Sequence, residues 1–397
     1  MKELRTFLIF SVSVACAFSV GCGGSSHSKT NVITTSGANV APITVNLGPA
    51  ASDGFPSVNA AFVSVTVCVP GTSNCKTVDN VLVDTGSSGL RILSSAFSLP
   101  LPQQNASDGN PVYECFPFVS GYTWGPVQTA DVEIAGEKAS STTIEVIGTN
   151  TGVPSGCLDF GLLPSNTVDT LLANGILGIG LSAQDCGPGC PTSIYYECPA
   201  SGSCQGISES LTQQLQNPVT LFATDNNGVI IELPAVPAAG EPSVSGSMVF
   251  GIGTQSNNGL GGAKVYTADG NGNFTTTFNS TPYSESFIDS GSNGFFFPST
   301  ITQCPSHSNE PGFYCPATTQ KLSATNQGAN SVSGTVSFSV ADAATLFANQ
   351  SDSAFSDLGG TFSGAFDWGL PFFYGQNVFV AIEGASTPGG PGPYWAY

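Results

Sequence analysis

The sequence predicts an all-β protein made of two half-length units. Short runs rich in Val, Ile and Phe recur between turns rich in Gly, Pro, Ser and Asn. Helical runs of Ala, Leu, Glu and Lys are scarce, and an apolar strand followed by Asp-(Thr/Ser)-Gly-Ser occurs twice, at Asp84 and Asp289. Since 397 residues with 40% hydrophobic content suffice for two cores, we expect two domains, residues 46–217 and 218–397.

Local patterns predict the individual elements. Apolar runs from Val58 and up to Leu93 flank Pro70-Gly71, which predicts a hairpin leading into Asp84. One helix is predicted over residues 207–216, where Ile207, Leu211 and Leu215 recur every four residues before Pro218. Residues 22–45 are small and polar, which predicts a flexible tether.

The two aspartate segments have matching surroundings. Each follows an apolar strand, and each is followed by an apolar segment that ends in glycine: Gly178 lies 94 residues after Asp84, and Gly369 lies 80 residues after Asp289. Two units with the same landmarks imply internal pseudo-two-fold symmetry.

The first 21 residues are typical of a signal peptide. Lys2 and Arg5 precede an apolar run, from Phe7 to Phe18, that is too short to span a bilayer permanently. The following Ser19-Val20-Gly21-Cys22 resembles a bacterial lipobox, with Ser19 where that motif usually has leucine. We expect Cys22 to be lipidated and the protein to be exported, anchored to a membrane facing the periplasm or at the cell surface (outer membrane). Ordinary secretion is the alternative.

Ten cysteines remain after the signal peptide and Cys22. In an exported protein this even number favours about five disulfides. We expect Cys68–Cys75, Cys304–Cys315 and the longer Cys115–Cys157. The remaining cysteines are expected to form two more disulfides, and a four-thiolate zinc site is the alternative; they are Cys186, Cys190, Cys198 and Cys204.

The charge excludes one class of partner. With 27 acidic and 8 basic residues the net charge is −19, so little is available to neutralise a phosphate backbone or anionic headgroups. We expect no binding to nucleic acid, and membrane contact only through the N-terminal lipid.

Paired carboxylates suggest hydrolytic chemistry. Cleaving a peptide bond without a metal, cofactor or covalent nucleophile requires one group that takes a proton from water and another that gives one to the amide. Asp84 and Asp289 can do both if they share one proton. Gly86 and Gly291 would let the two loops approach closely. Ser87 and Ser292 can donate to the outer carboxylate oxygens.

Four segments together resemble pepsin-like aspartic peptidases: DTGSSGL at 84–90, NGILGIG at 174–180, DSGSNG at 289–294 and GLPFFYGQNVFVAIEG at 369–384. The resemblance covers residues 58 to 384. It implies a two-lobed double β-barrel with a cleft between the lobes, in a bacterial lipoprotein branch. It also implies that Asp84 and Asp289 hold the attacking water, and that Thr85 and Ser290 lock the two loops together.

The resemblance implies a hairpin over the substrate, and residues 118–136 are the candidate. If Gly125 aligns with the glycine that ends this flap, Phe118 replaces the usual tyrosine, and Tyr122 could supply the hydroxyl from a neighbouring position.

Arg91 stands where this family usually has tryptophan. We favour pairing with a carboxylate within the fold, or exposure to solvent. The alternative is a role near the cleft in substrate binding or electrostatics, in which case Arg91→Trp would lower the pH optimum.

Other polar residues carry less weight. His27 lies in the tether and His307 between two cysteines, and no Gly-x-Ser-x-Gly segment is present, which disfavours a Ser/His/Asp hydrolase. Turn capping or surface exposure is the simpler interpretation of Asp159, Asp185 and Asp367.

The sequence therefore predicts an aspartic endopeptidase, a monomer that acts on polypeptide without a cofactor. The alternative is a catalytically silent surface lipoprotein of the same fold that binds peptides or proteins.

Overall fold

The computed structural model describes residues 31–148, 152–306 and 310–397. The predicted signal peptide, the lipidation site Cys22, and both histidines, His27 and His307, lie outside the described residues.

The first half consists mostly of strands. They are β1 (Val40–Val45), β2 (Ala61–Cys68), β3 (Cys75–Asp84), β4 (Ser88–Leu93), β5 (Val112–Pro117), β6 (Tyr122–Ile134), β7 (Glu137–Ile147), β8 (Gly175–Ile179), β9 (Tyr195–Glu197) and β10 (Gln205–Ile207). The helical segments are single turns: α1 (Ser155–Leu158), α2 (Val168–Leu171) and a 3₁₀ turn at Ala51–Asp53.

The second half has the same character. Its strands are β11 (Gly228–Leu233), β12 (Val244–Phe250), β13 (Val265–Thr267), β14 (Phe274–Phe278), β15 (Thr281–Ile288), β16 (Phe295–Phe296), β17 (Gln320–Gln327), β18 (Ser333–Val340), β19 (Gly359–Gly360), β20 (Asp367–Trp368), β21 (Gln376–Ala381), β22 (Ser386–Thr387), β23 (Gly390–Pro391) and β24 (Tyr394–Ala396). The helical segments are α3 (Ala343–Phe347) and 3₁₀ turns at Pro218–Leu221 and Leu370–Phe373.

Two large sheets organise the described chain. The longer has the order β10-β9-β5-β6-β7-β4-β8-β3-β2-β1-β12-β11-β21-β24-β13 and the other has the order β18-β17-β14-β15-β20-β16-β19. The second half thus forms its own sheet and also extends the first, where β1 pairs antiparallel with β12. The prediction of a two-lobed all-β fold is confirmed.

The same strand arrangement surrounds both aspartates. In the first half β3 runs parallel to β8, which pairs antiparallel with β4. In the second half β15 runs parallel to β20, which pairs antiparallel with β16. Each aspartate follows or ends the first strand of its trio, so the internal repeat in the sequence corresponds to a repeat in topology.

Aromatic side chains fill the core beside the second aspartate. Phe297 and Phe366 stack with centroids 4.7 Å apart, and Phe366 stacks on Trp368 at 4.6 Å. All three are fully buried, so β16, β20 and the segments that follow them are anchored by a large apolar contact area.

Two predicted elements differ in the structure. The tether was expected to reach residue 45, but its end forms β1, whose Val40, Ile43 and Val45 are buried in the sheet. The prediction of a helix over residues 207–216 is wrong. Ile207 pairs with Tyr195 as the end of β10, and Leu211 is exposed, so the periodic residues do not share one buried face.

The hairpin β2–β3 and the disulfides agree with the sequence. Cys68–Cys75 closes the hairpin, and Cys115–Cys157 and Cys304–Cys315 form as predicted. The four clustered cysteines pair as Cys186–Cys190 and Cys198–Cys204, which confirms the disulfide interpretation over the zinc site.

Among the residues described, helices are all too short or too polar to cross a membrane.

Candidate active site

Asp84 and Asp289 lie together where the two halves meet. Asp84 is the last residue of β3, opposite Gly178 of β8, and is 5% exposed. Asp289 follows β15, its N–H donates to the carbonyl of Trp368, and it remains partly exposed. The two carboxyl groups hydrogen-bond to each other.

Thr85 and Ser290 exchange hydrogen bonds across the two loops. The N–H of Thr85 donates to Ser290 Oγ at 3.1 Å, and the N–H of Ser290 donates to Thr85 Oγ1 at 2.9 Å. Each hydroxyl then donates to a carbonyl of the opposite strand, Thr85 to Ile288 at 3.2 Å and Ser290 to Val83 at 2.7 Å. This four-bond lock is buried, so breaking it leaves polar groups without partners.

Glycine is required on both loops for the carboxyls to meet. A Cβ placed on Gly86 would lie 2.6 Å from Cγ of Asp289, and one on Gly291 would lie 2.7 Å from Oδ1 of Asp84. Both distances are shorter than any carbon contact allows, so a larger residue would force the aspartates apart.

Each aspartate is held by its own loop in the same way. The N–H of Gly86 donates to Asp84 Oδ1 at 2.8 Å, and the N–H of Gly291 donates to Asp289 Oδ1 at 2.7 Å. The Ser87 hydroxyl donates to Asp84 Oδ2. The equivalent bond to Asp289 Oδ2 comes from Ser292 at 3.0 Å.

The electrostatics of the site favour a proton on Asp289. Loss of hydration raises its pKa well above the usual range, and the charges of Asp84 and then Asp367 raise it further. Two like charges in contact cannot both ionise easily. The pair therefore holds a proton at a pH where an isolated aspartate is ionised.

A third carboxyl, Asp367, was missed by the sequence analysis. Its assignment to a turn or surface is wrong, because it lies in β20 and is only 4% exposed. Its side chain hydrogen-bonds with Ser292, and burial raises its pKa to about 7. Aligning the two halves could have identified it: Asp367-Trp368-Gly369 matches Ile176-Leu177-Gly178, so Asp367 occupies a buried strand position.

Arg91 is fully buried beside the first half of the site. It pairs with Glu114 at 2.8 Å, Asp185 at 3.3 Å and Glu145 at 3.4 Å, all without solvent exposure. Of the interpretations given for Arg91 from the sequence, the structure therefore shows pairing with carboxylates within the fold. Assigning Asp185 to a turn or surface is wrong, since it also accepts a hydrogen bond from Tyr195. Asp159 is exposed.

Residues 118–136 do not form a hairpin by themselves, because Tyr122–Ile134 is the single strand β6. The hairpin that contains their turn, at Phe118–Gly121, is β5–β6, and it is the candidate flap. The N–H of Phe118 donates to the Gly121 carbonyl at 2.7 Å, and the Arg91 guanidinium lies 5.6 Å from the centre of the Phe118 ring. Tyr122 is 2% exposed and packs with Trp124 and the Cys115–Cys157 disulfide. The burial of Tyr122 in the core of the hairpin argues against the expectation that it supplies the flap hydroxyl.

The part of the chain that is described contains no group of three or more His, Cys, Asp and Glu side chains arranged to hold a metal ion.

Comparison with known proteins gives three results. No curated protein sequence matches the chain. The crystal structure of an aspartic proteinase from Irpex lacteus is similar at 15% sequence identity and a TM-score of 0.49, and the match covers 90% of this chain and 96% of that one. A family model described as "Protein of unknown function (DUF3443)" matches residues 35–397, and the chain belongs to this family.

Proposed function

We propose that the protein is an aspartic endopeptidase that hydrolyses peptide bonds with a water molecule activated by Asp84 and Asp289. One observation carries this proposal: two carboxyls from equivalent loops are in hydrogen-bonding contact, with Gly86 and Gly291 allowing the approach. A fold that needed only stability would gain nothing from pressing two acids together, because their mutual repulsion costs free energy.

The two aspartates have different tasks in this mechanism. Asp289 keeps a proton because its carboxyl loses hydration at the contact between the loops and because the charges of Asp84 and Asp367 raise its pKa. Asp84 is the carboxylate that takes a proton from water as the water oxygen attacks the peptide carbonyl carbon. The proton of Asp289 goes to the carbonyl oxygen. The C–N bond of the tetrahedral intermediate then breaks as Asp84 gives its proton to the leaving nitrogen and Asp289 regains a proton from a hydroxyl of the intermediate.

The surrounding hydrogen bonds fix the geometry for this reaction. Ser87 and Ser292 donate to the outer carboxyl oxygens, and Gly86 and Gly291 donate to the inner ones. Rigid positioning of reacting groups removes much of the entropic barrier. We propose an extended polypeptide as the substrate and a monomer as the active form, with the hairpin turn at Phe118 covering the substrate.

We also propose that the catalytic body is exported and held at a membrane by lipid on Cys22. The signal-like residues 1–21 support this, and labelling with a radioactive fatty acid would detect the modification. A Cys22→Ser variant should lose the label.

Cleavage of denatured protein substrates between about pH 3 and 7 tests the activity. The disulfide-intact protein is compared with Asp84→Asn and Asp289→Asn, with thermal unfolding to check folding. Asp79→Asn is the matched control, because Asp79 lies on the same strand as Asp84 but is exposed to solvent. We expect both site variants to lose cleavage and the control to keep it.

A statine-type inhibitor, which mimics the tetrahedral intermediate, should block the wild type. Cleavage that survives either site substitution contradicts the shared-proton mechanism. Peptide binding without cleavage at any pH would instead support a catalytically silent binding protein.

A further inference from the structure

Asp367 occupies the position in the second half that Ile176 occupies in the first. In β20 it is paired with Phe287 of β15 and with Phe296 of β16. The equivalent row of the first half contains Leu82, Ile176 and Arg91. An aspartate therefore replaces an apolar residue in the strand that supports the catalytic loop.

The burial of Asp367 has no structural compensation of the usual kind. Its side chain hydrogen-bonds with Ser292, but its Oδ1 atom is buried without a partner. Burying a carboxyl that is not fully hydrogen-bonded costs free energy. Replacement by a residue such as Ile176 would avoid this cost, so a purely structural role does not explain Asp367.

Ser292 connects Asp367 to the catalytic pair. Its hydroxyl donates to Asp289 Oδ2 at 3.0 Å and is also bonded to Asp367. A serine hydroxyl has one hydrogen to donate. That hydrogen can go to Asp289 or to Asp367, so the two carboxyls compete for one donor.

The charged groups that face Asp367 are acidic. The charge of Asp84 raises the pKa of Asp367, and the charge of Asp367 raises the pKa of Asp289. Of the strands paired with β20, β16 has no ionisable side chain and β15 carries Tyr283 and Glu285, of which Glu285 is exposed. Burial raises the pKa of Asp367 to about 7, so this carboxyl loses its proton near neutral pH.

We propose that Asp367 is a third carboxyl of the aspartate site, a positioning residue that, once it is ionised near neutral pH, keeps Asp289 protonated by its negative charge and by drawing the hydrogen of Ser292 away from Asp289. This rests on the proposed peptidase function. Near neutrality a proton lost from Asp367 leaves a negative charge close to Asp289, and that charge opposes ionisation of the catalytic pair. The consequence is activity that extends further toward neutral pH than the two aspartates alone would allow.

Asp367→Asn is the direct test. Asparagine can still donate to Ser292 but cannot ionise, so the alkaline limb of the kcat/KM profile should move to lower pH by about one unit. Asp367→Ile, which copies the first half of the protein, should do the same. Activity at the acidic optimum should fall less than activity at pH 7.

Asp357→Asn is the matched control. Asp357 is buried in the same half at 3% exposure, and burial raises its pKa to about 6. This variant should leave the alkaline limb unchanged. In a Ser292→Ala background, Asp367→Asn should shift the limb less than it does in the wild type, because the hydroxyl that connects the two carboxyls is gone.

A second measurement keeps this inference separate from the peptidase proposal. Carbon-13 NMR of aspartate carboxyls, assigned with the Asn variants, reports titration whether or not substrate is cleaved. The upper pKa of the catalytic pair should fall in Asp367→Asn. If the wild type cleaves nothing, the peptidase proposal fails and the NMR result still decides; an unchanged upper pKa, or an equal fall in Asp357→Asn, overturns the role of Asp367.

Discussion

Arg91 and Glu114 form a doubly hydrogen-bonded ion pair that is completely buried. Arg91 Nε donates to Glu114 Oε2 at 3.0 Å and Nη2 donates to Oε1 at 2.8 Å. The pair joins β4, which follows the Asp84 loop, to β5, the first strand of the candidate flap. With Glu145 and Asp185 also in contact, three carboxyls surround one guanidinium.

Replacing Arg91 should destabilise the protein strongly. Arg91→Met removes the cation and leaves Glu114 and Asp185 buried without it, and breaking a buried ion pair on one side costs about 3–5 kcal/mol. Urea unfolding at pH 7 with the disulfides intact measures the loss. Lys138→Met is the control, because Lys138 pairs with Asp131 and Glu133 while 41% exposed; its loss should be much smaller. Equal losses of unfolding free energy in the two variants would show that burial does not make the Arg91 pairs more important than the exposed pairs of Lys138.

The excess of acid around Arg91 predicts a pH dependence of stability. Burial, and then the charge of Glu114, raise the pKa of Glu145 well above its usual range. The folded protein therefore binds a proton that the unfolded chain has released, and the free energy of unfolding falls as the pH rises above about 4.3, by up to about 1.4 kcal/mol per pH unit for each such group. Glu145→Gln should flatten this slope and gain stability relative to the wild type as the pH rises.

Chemical denaturation at pH 4, 5.5 and 7 measures that slope. Glu133→Gln on the neighbouring strand, where the side chain is 40% exposed, is the matched control and should leave it unchanged. A slope that is the same in Glu145→Gln and the wild type would refute the prediction.

The sequence is sufficient to predict the aspartate pair because the motif occurs twice. Each copy places an Asp after a strand and a Gly two residues later, so finding the motif in one half supports its interpretation in the other. Thr85 and Ser290 are predicted for the same reason. In contrast, Asp367 occurs once, and its burial depends on β15 and β16, which are distant in the chain.

The partners of Arg91 could not be assigned from local patterns. Glu114, Glu145 and Asp185 come from three separate segments, and only the sheet brings them to one guanidinium. A signal was present, since a buried arginine in an apolar strand requires carboxylate partners.

The predicted helix over residues 207–216 failed because Leu211 is periodic in sequence but exposed in the fold.

The close approach of the two loops predicts a large effect of small substitutions. Gly86→Ala adds a Cβ where Cγ of Asp289 is only 2.6 Å away, so the pair must separate. A displacement of about 1 Å in a reacting group costs on the order of 100-fold in rate, and kcat/KM should fall by at least that factor. Gly270→Ala is the control, because nothing lies within 4 Å of its Cβ position. Full activity in Gly86→Ala would show that the loops do not need to approach this closely for catalysis.

The lock between Thr85 and Ser290 should depend on hydroxyl groups and not on side-chain size. Thr85→Val keeps the shape but leaves the N–H of Ser290 and the carbonyl of Ile288 without their partner, a loss of about 1–3 kcal/mol. Thr85→Ser retains the hydroxyl and should lose less. Because Ser290→Ala cuts the same network, the double variant Thr85→Val/Ser290→Ala should lose less stability than the two single losses added. Urea denaturation measures all four variants, and strict additivity would show that the two residues do not act as one unit.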